Sequence, residues 1–513
     1  MKSVNKRFTI SYGVPLLVLL LLIAAIAGCN SNGAGETEPP SDDADIPILS
    51  VSVTINPPET GGTPDLEPDW TGNFACEDVE WTPEDNPFKA LTEYTVTMTF
   101  TANAGNTFTG LAAAEINGEE AEITANTGAS LTITYTFSET QAEEEEEEEP
   151  ISGGTGTKDD PYLIGTAERL AELAAAVNAG TEPSGKYYKL TRDIDLNIEP
   201  WKSGSGWMPI GNISATFMGS FNGNNHIIKN LYIDTPSVNS VGLFGYVFAA
   251  RIENLSVTNV DVKGYYNTGG IAGNASSSII VNCHSSGSIN AYNGAGGIAG
   301  GINYTTITNC HFSSDGTTGI VSTGNNAGGI AGYVNTNCTI TRCSAAGTVS
   351  GNGTCNGGVA GYLNNKCGIS NCYATVNING YATCGGIAGS VIDSSVSNCY
   401  ATGNVTATFS GGTGGIAGSI DVNSSLNNCV ALNANITAPG ISYSGRVAGI
   451  NNGTLTGNLA LNTMLINDAA VSDGGINGTG ISEANAKAKA TYVDWDFDDI
   501  WTIIEGEGYP AFK

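Results

Sequence analysis

Gly269-Gly-Ile-Ala-Gly273 returns as Gly296-Gly-Ile-Ala-Gly300, Gly328-Gly-Ile-Ala-Gly332, Gly357-Gly-Val-Ala-Gly361, Gly385-Gly-Ile-Ala-Gly389 and Gly414-Gly-Ile-Ala-Gly418. Val241-Gly-Leu-Phe-Gly245 precedes the series and Gly445-Arg-Val-Ala-Gly449 ends it. The closing glycines are 28, 27, 32, 29, 28, 29 and 31 residues apart. A near-fixed period of this size marks a repeat architecture in which each repeat is one unit stacked on the next.

A second phrase follows each glycine phrase: Ile252-Glu-Asn-Leu255, Ile280-Val-Asn-Cys283, Ile307-Thr-Asn-Cys310, Ile340-Thr-Arg-Cys343, Ile369-Ser-Asn-Cys372, Val396-Ser-Asn-Cys399 and Leu426-Asn-Asn-Cys429. After the Cys, apolar residues alternate, as in Cys399, Ala401, Gly403 and Val405. Period two is the strand period, and the segment is too rich in glycine for a helix. The expected fold is a parallel β-helix, with like residues stacked about 4.8 Å apart. Ile and Cys are three apart, so the inward parity breaks between them. The Asn there tolerates left-handed geometry and makes the turn. Asn254, Asn282, Asn309, Asn371, Asn398 and Asn428 are expected to form an amide ladder that Arg342 interrupts. Cys283, Cys310, Cys343, Cys372, Cys399 and Cys429 fall in one inward column, where Cys acts as a small hydrophobe.

These phrases resemble the bacterial GLUG-motif repeats. The resemblance covers roughly residues 151 to 513, including the opening Gly154-Thr-Gly-Thr-Lys-Asp-Asp-Pro-Tyr-Leu163 and the close at Trp501 to Tyr509-Pro510. It implies an exported surface protein, because the family occurs in such proteins and in non-catalytic parts of some immunoglobulin A metallopeptidases. It implies nothing definite about activity, since fold alone does not fix function.

The rest of the chain completes an all-β reading. Residues 1–28 form a lipoprotein signal peptide: Lys2, Lys6 and Arg7 precede an apolar run from Val14 to Ala27, too short to span a bilayer comfortably. Ile26-Ala-Gly-Cys29 looks like a bacterial lipobox, so Cys29 is the expected lipidation site. Residues 29–45 are a polar tether. Residues 46–140 alternate with strand period, as in Tyr94-Thr-Val-Thr-Met-Thr-Phe100, and predict a small β-sandwich that resembles the immunoglobulin-like repeats of bacterial surface proteins. Residues 141–150 are a poly-Glu linker. Residues 151–230 hold an N-terminal cap and the first coils, with a capping helix starting after Thr166. Repeats of about 29 residues occupy 231–465, and 466–513 are expected to cap the far end, with Trp495, Phe497, Trp501 and Tyr509 covering it.

The net charge is −31, but from 201 to 450 six acids face seven Lys or Arg. The repeat body is thus near neutral, without the basic stripe nucleic acid requires. Cys338–Cys367 and Cys355–Cys384 fall on adjacent coils and are the candidate disulfides, although in-register Cβ atoms sit slightly too far apart for an easy bridge. No H-E-x-x-H, G-x-S-x-G or Walker loop occurs, and no metal or cofactor is expected. Asp393 and Asp421 fall on neighbouring coils but are offset by one, a poor start for a paired-carboxylate glycosidase.

The large side chains that recur at coil spacing are His284, His311, Tyr373 and Tyr400. They are the expected contact face of a lipid-anchored, non-enzymatic surface protein that binds an extracellular glycan or a host or matrix protein. An inert stalk is the nearest alternative, and a polysaccharide lyase or hydrolase a more distant one.

Overall fold

The computed structural model describes residues 45–141, 153–316, 319–440 and 443–513. The expected signal peptide, Cys29 and nearly all of the tether and poly-Glu linker lie outside the described residues. The chain divides into two compact units, Met1–Glu145 and Glu146–Lys513.

The first unit holds two four-stranded sheets and a short two-stranded one, Ile46–Pro47 with Asn106–Thr107. One four-stranded sheet is antiparallel and runs Phe74–Thr82, Thr95–Ala102, Ser130–Thr136, Glu122–Asn126. The other is ordered Asp69–Trp70, Ser50–Thr54, Ala113–Ile116, Glu119–Glu120. Alternation is what makes this work: Val51 and Val53 on one sheet, and Val96, Met98 and Phe100 on the other, join one core while the intervening threonines and serines stay out. Cys76 is a half-exposed free thiol.

In the second unit the helix Ala167–Asn178 comes early. The Thr166 hydroxyl accepts the Arg169 N–H, and Leu170, Leu173 and Val177 are buried in the core shared with the coils. Each repeat then contributes strands to three sheets. An eleven-stranded sheet carries the isoleucine column: Phe221, Ile252, Ile280, Ile307, Ile340, Ile369, Val396, Leu426 and Leu455 pair in parallel register. A 24-stranded sheet carries the residues after the Cys. An eight-stranded sheet carries the alanine of the glycine phrase, from Ala272 through Ala299, Ala331, Ala360, Ala388 and Ala417 to Ala448.

Between the first two sheets the chain turns at Asn254, Asn282, Asn309, Arg342, Asn371, Asn398 and Asn428, all with φ between 51° and 54°. This left-handed geometry is favourable for Asn and costly for Arg. The amides of Asn254, Asn282 and Asn309 each donate to the Asn one coil earlier, at 3.2, 3.0 and 2.8 Å, with Asn222 as the first rung. Beyond Arg342 the amides find different partners, described below.

The inward cysteines are buried free thiols. Burial pushes the thiols of Cys310, Cys372 and Cys399 well above the usual range. No disulfide joins Cys338 to Cys367; both are free. They belong instead to a buried polar column of Ser278, Thr305, Cys338, Cys367, Ser394 and Ser424. Ser278 Oγ accepts the N–H of Ala250, and each later member accepts the N–H of the member one coil before it, at 3.1–3.5 Å. The thiols replace hydroxyls as acceptors for an inward N–H that would otherwise be orphaned. Cys355 and Cys384 are also free. The register pairs Cys384 with Asn356, not Cys355, and Cys355 sits half-exposed within the strand Thr348–Gly357 at a left-handed φ of 66°.

The glycine phrase sets the distance between coils. A Cβ on Gly385 would lie 2.0 Å from the Ala388 carbonyl oxygen, and one on Gly386 would lie 2.0 Å from the Gly415 carbonyl oxygen on the next coil. Neither backbone can move without parting the sheets. Gly386→Ala should therefore destabilise the solenoid by about 3 kcal/mol or more. Gly368→Ala, whose Cβ would meet only Ser395 Oγ at 3.7 Å, should stay within about 0.5 kcal/mol of wild type. Urea unfolding of the two variants measures the contrast, and equal stabilities would contradict the packing.

Candidate functional site

The expected contact column lies on the 24-stranded sheet, where His284, His311, Ser344, Tyr373, Tyr400 and Val430 pair in sequence. Tyr373 and Tyr400 stack, with centroids 5.1 Å apart and planes 5° from parallel. His311 Nδ1 lies 2.8 Å from Ser344 Oγ. Burial lowers the pKa of both histidines, so they are neutral at neutral pH. Among the described residues no group of three or more His, Cys, Asp or Glu could hold a metal ion.

This column is not an open face. Of the segment expected to cap the far end, the turn Gly475–Asn477 does meet the last glycine phrase there, the Val447 N–H donating to the Ile476 carbonyl, but the stretch carrying Trp495, Trp501 and Tyr509 turns back along the flank. The Trp495 indole N–H donates to the Asn428 carbonyl at 3.0 Å, and Trp501 donates to Asn371 Oδ1 at 3.3 Å. Asn398 Nδ2 reaches the Asp494 carbonyl and Asn428 Nδ2 its carboxylate, at 3.2 and 3.3 Å. The tail thus takes up the ladder amides beyond Arg342. The Tyr400 hydroxyl donates to the Pro510 carbonyl at 2.7 Å. The Phe512 ring packs on Tyr373 at 5.1 Å and on His311 at 5.9 Å. Trp501–Thr502 and Ala511–Phe512 pair as a small antiparallel ribbon. Tyr400 is only 5% exposed, and its hydroxyl is pushed well above the usual range by burial. His311, Tyr373 and Tyr400 are therefore the seat of an internal strap. The end itself is finished by Arg446, which stands where earlier repeats have their second glycine. Its side chain is buried, bonded to the Leu461 carbonyl and paired with Asp473 at 2.5 Å.

Asp393 and Asp421, already offset in the sequence, do not form a paired site. Val391 pairs with Ile420, which places Asp421 level with Ile392 and leaves Asp393 one residue out of step.

A different set of aromatics is open. Tyr265 and Tyr292 stack at 4.9 Å and 11°, and Tyr381 and Phe409 at 4.8 Å and 12°. Tyr292, Tyr381 and Phe409 are 43%, 40% and 50% exposed. Following the sheet register from Lys263 through Asn290, Val321, Ser350 and Asn379 to Thr406, then moving two residues on, gives one outward line: Tyr265, Tyr292, Thr323, Asn352, Tyr381 and Thr408. Phe409 follows directly, and its N–H donates to the Tyr381 carbonyl. The sequence carries a signal for this line: Tyr265, Tyr292 and Tyr381 each stand four residues before the first glycine of a phrase, Gly269, Gly296 and Gly385. A second signal was the strand alternation Asn377, Asn379, Tyr381, whose exposed members flank buried Ile378 and Gly380.

Removing the strap's anchor tests its placement. Trp501→Ala should cost about 3–5 kcal/mol and make residues 487–513 sensitive to limited proteolysis while the repeats stay intact. Tyr400→Phe, which loses one hydrogen bond, should cost about 1 kcal/mol. A tail as protease-resistant in Trp501→Ala as in wild type would contradict it.

Comparison with known proteins agrees with this architecture. The family model "The GLUG motif" matches residues 380–406. Halomucin of Haloquadratum walsbyi is 36% identical over 143 residues, 26% of this chain. The "Putative Gly-rich membrane protein" of Evansella cellulosilytica is 37% identical over 117 residues, 23% of this chain. The aligned regions are only 2% and 12% of those two proteins' own lengths. The crystal structure of a "putative immunoglobulin A1 protease" from Bacteroides ovatus is 21% identical and covers 70% of this chain and 94% of its own, with a TM-score of 0.42, too low to carry an argument. The chain thus carries the GLUG motif on coils of a parallel β-solenoid.

Proposed function

We propose that the protein is a non-enzymatic surface module that binds an extracellular glycan or protein through the flank of its solenoid. The observation that carries this reading is the exposed, stacked pair Tyr381–Phe409. Rings left in water contribute little to a core, and aromatic faces beside amides and hydroxyls suit recognition of partly apolar ligands. The equivalent pair Tyr373–Tyr400 is covered by the chain itself, so the open pair is where a second molecule has room to sit.

The near-neutral repeat body and the out-of-step carboxylates argue for binding over turnover. Attachment through a lipidated Cys29 with a polar tether would hold the module at a membrane surface, and the name of the Evansella relative fits a membrane location. The reading is tested by probing an array of glycans and matrix proteins with the purified full chain. Saturable binding to at least one ligand, without consumption of it, is the expected result. Failure to bind any of them would favour an inert stalk, and turnover of a polysaccharide would favour an enzyme.

A further inference from the structure

Beside the Tyr381 ring the 24-stranded sheet forms a hollow of about 450 Å³, lined by Ser350, Asn352, Asn379, Tyr381, Thr406 and Thr408 over the backbones of Gly351 and Gly380. Two features of the register build it. Ser350, Asn379 and Thr406 stand in one outward row across three adjacent coils. Asn352, Tyr381 and Thr408 stand two residues further on in the same coils, and therefore on the same face. Between the rows, Gly351 and Gly380 are buried and carry no side chain. A Cβ at Gly380 would point inward and lie 2.3 Å from Cys384 Sγ, and one at Gly351 1.9 Å from Asn356 Oδ1, so the interior polar packing holds these positions to glycine, and their backbone forms the floor between the two rows.

Tyr381 keeps 40% of its surface exposed. Phe409 stacks against it from the following coil. The preceding coil has Asn352 at the matching place, with no ring, so the other face of Tyr381 borders the hollow. No lining residue carries a charge, and those with polar side chains offer hydroxyls or amides. A half-open aromatic face above a shelf of neutral hydrogen-bonding groups is matched by a pyranose ring: its C–H face stacks on the aromatic, and its hydroxyls reach the amides and hydroxyls. A uronate or sulfated sugar would find no cation among the lining residues to pair with. A protein anchor would leave the shelf of polar groups poorly used.

We propose that this hollow binds a neutral hexose unit of an extracellular polysaccharide, the sugar taking the next rung after Phe409 and Tyr381. The inference rests on the binding reading above and names its ligand. Tyr292, three coils earlier on the same line, is about 14 Å away by strand spacing, so a linear chain running along the solenoid would meet a second exposed ring.

The test is affinity electrophoresis of the full chain in gels containing soluble β-glucan, galactomannan or xylan, with polygalacturonate as the anionic comparison and a matrix-protein array run in parallel. Retardation by at least one neutral polysaccharide is expected. Tyr381→Ala should weaken it about tenfold, while Tyr381→Phe retains it. Tyr304→Ala, an exposed tyrosine outside the hollow, should leave it unchanged. Tyr381 is exposed, so circular dichroism melts should show each variant folded. Neutral-glycan binding that survives Tyr381→Ala would overturn the hollow as the site but keep the binding reading. Preference for polygalacturonate, or binding to protein alone, would overturn the sugar assignment and likewise keep that reading. No binding to any glycan or protein would overturn both.

Discussion

The backbones of successive coils approach so closely at the glycine phrase that no side chain fits between them, and the rest of the solenoid follows from that contact. A Cβ at the second glycine of the phrase would sit 2.0 Å from a carbonyl oxygen of the next coil at Gly329, Gly358 and Gly386. That contact fixes the coil spacing, which in turn lets isoleucines, asparagines, thiols and tyrosines stack on their own kind. The one break confirms the rule. Arg446 takes the second position in the last phrase, and the short 3-10 turn Gly475–Asn477 stands where a further coil would be. With no further phrase to meet, the position has room for a side chain, and its arginine fills the end.

Close spacing also creates a demand for polar partners. A coil that turns three times points some backbone N–H groups inward, and a buried donor without a partner costs about 1–3 kcal/mol. The column from Ser278 to Ser424 meets that demand with small acceptors, hydroxyl and thiol alike. This explains why the repeats carry so many cysteines that do not pair. They are chosen by size and by a weak acceptor sulfur. On the outside, the asparagine turns offer amides that either bond one another or hold the returning tail.

The coils, the turn at each asparagine and the inward thiols were legible in the sequence because they are local and repeated. Ile307, Asn309 and Cys310 announce a parity break that any one repeat shows. The strap was not. Trp495 and Trp501 demand burial and Tyr373 and Tyr400 demand cover, but matching the two requires a contact across 110 residues, between Tyr400 and Pro510. The sequence therefore suggested that Trp495, Trp501 and Tyr509 cover the end and that the column is open, where the structure lays the tail along the flank over His311, Tyr373 and Tyr400. The line of open rings was partly legible: Tyr265, Tyr292 and Tyr381 each stand four residues before the first glycine of a phrase, Gly269, Gly296 and Gly385, while Phe409 does not share that spacing and joins the line only through the strand register. The candidate disulfides failed on geometry: one pair is occupied as hydrogen-bond acceptors, and the other is a residue out of register.

The stacked register is the claim on which all of this stands, and thiol accessibility reads it directly. Native protein is treated with an alkylating reagent at neutral pH, and the modified residues are mapped by peptide mass. Among the described cysteines, Cys76 and Cys355 are the two that are half-exposed, and labelling there is the expected result, with Cys283, Cys310, Cys343, Cys372, Cys399 and Cys429 protected until denaturant is added. Rapid native labelling of Cys310 or Cys372 would place the column outside the core and contradict the account.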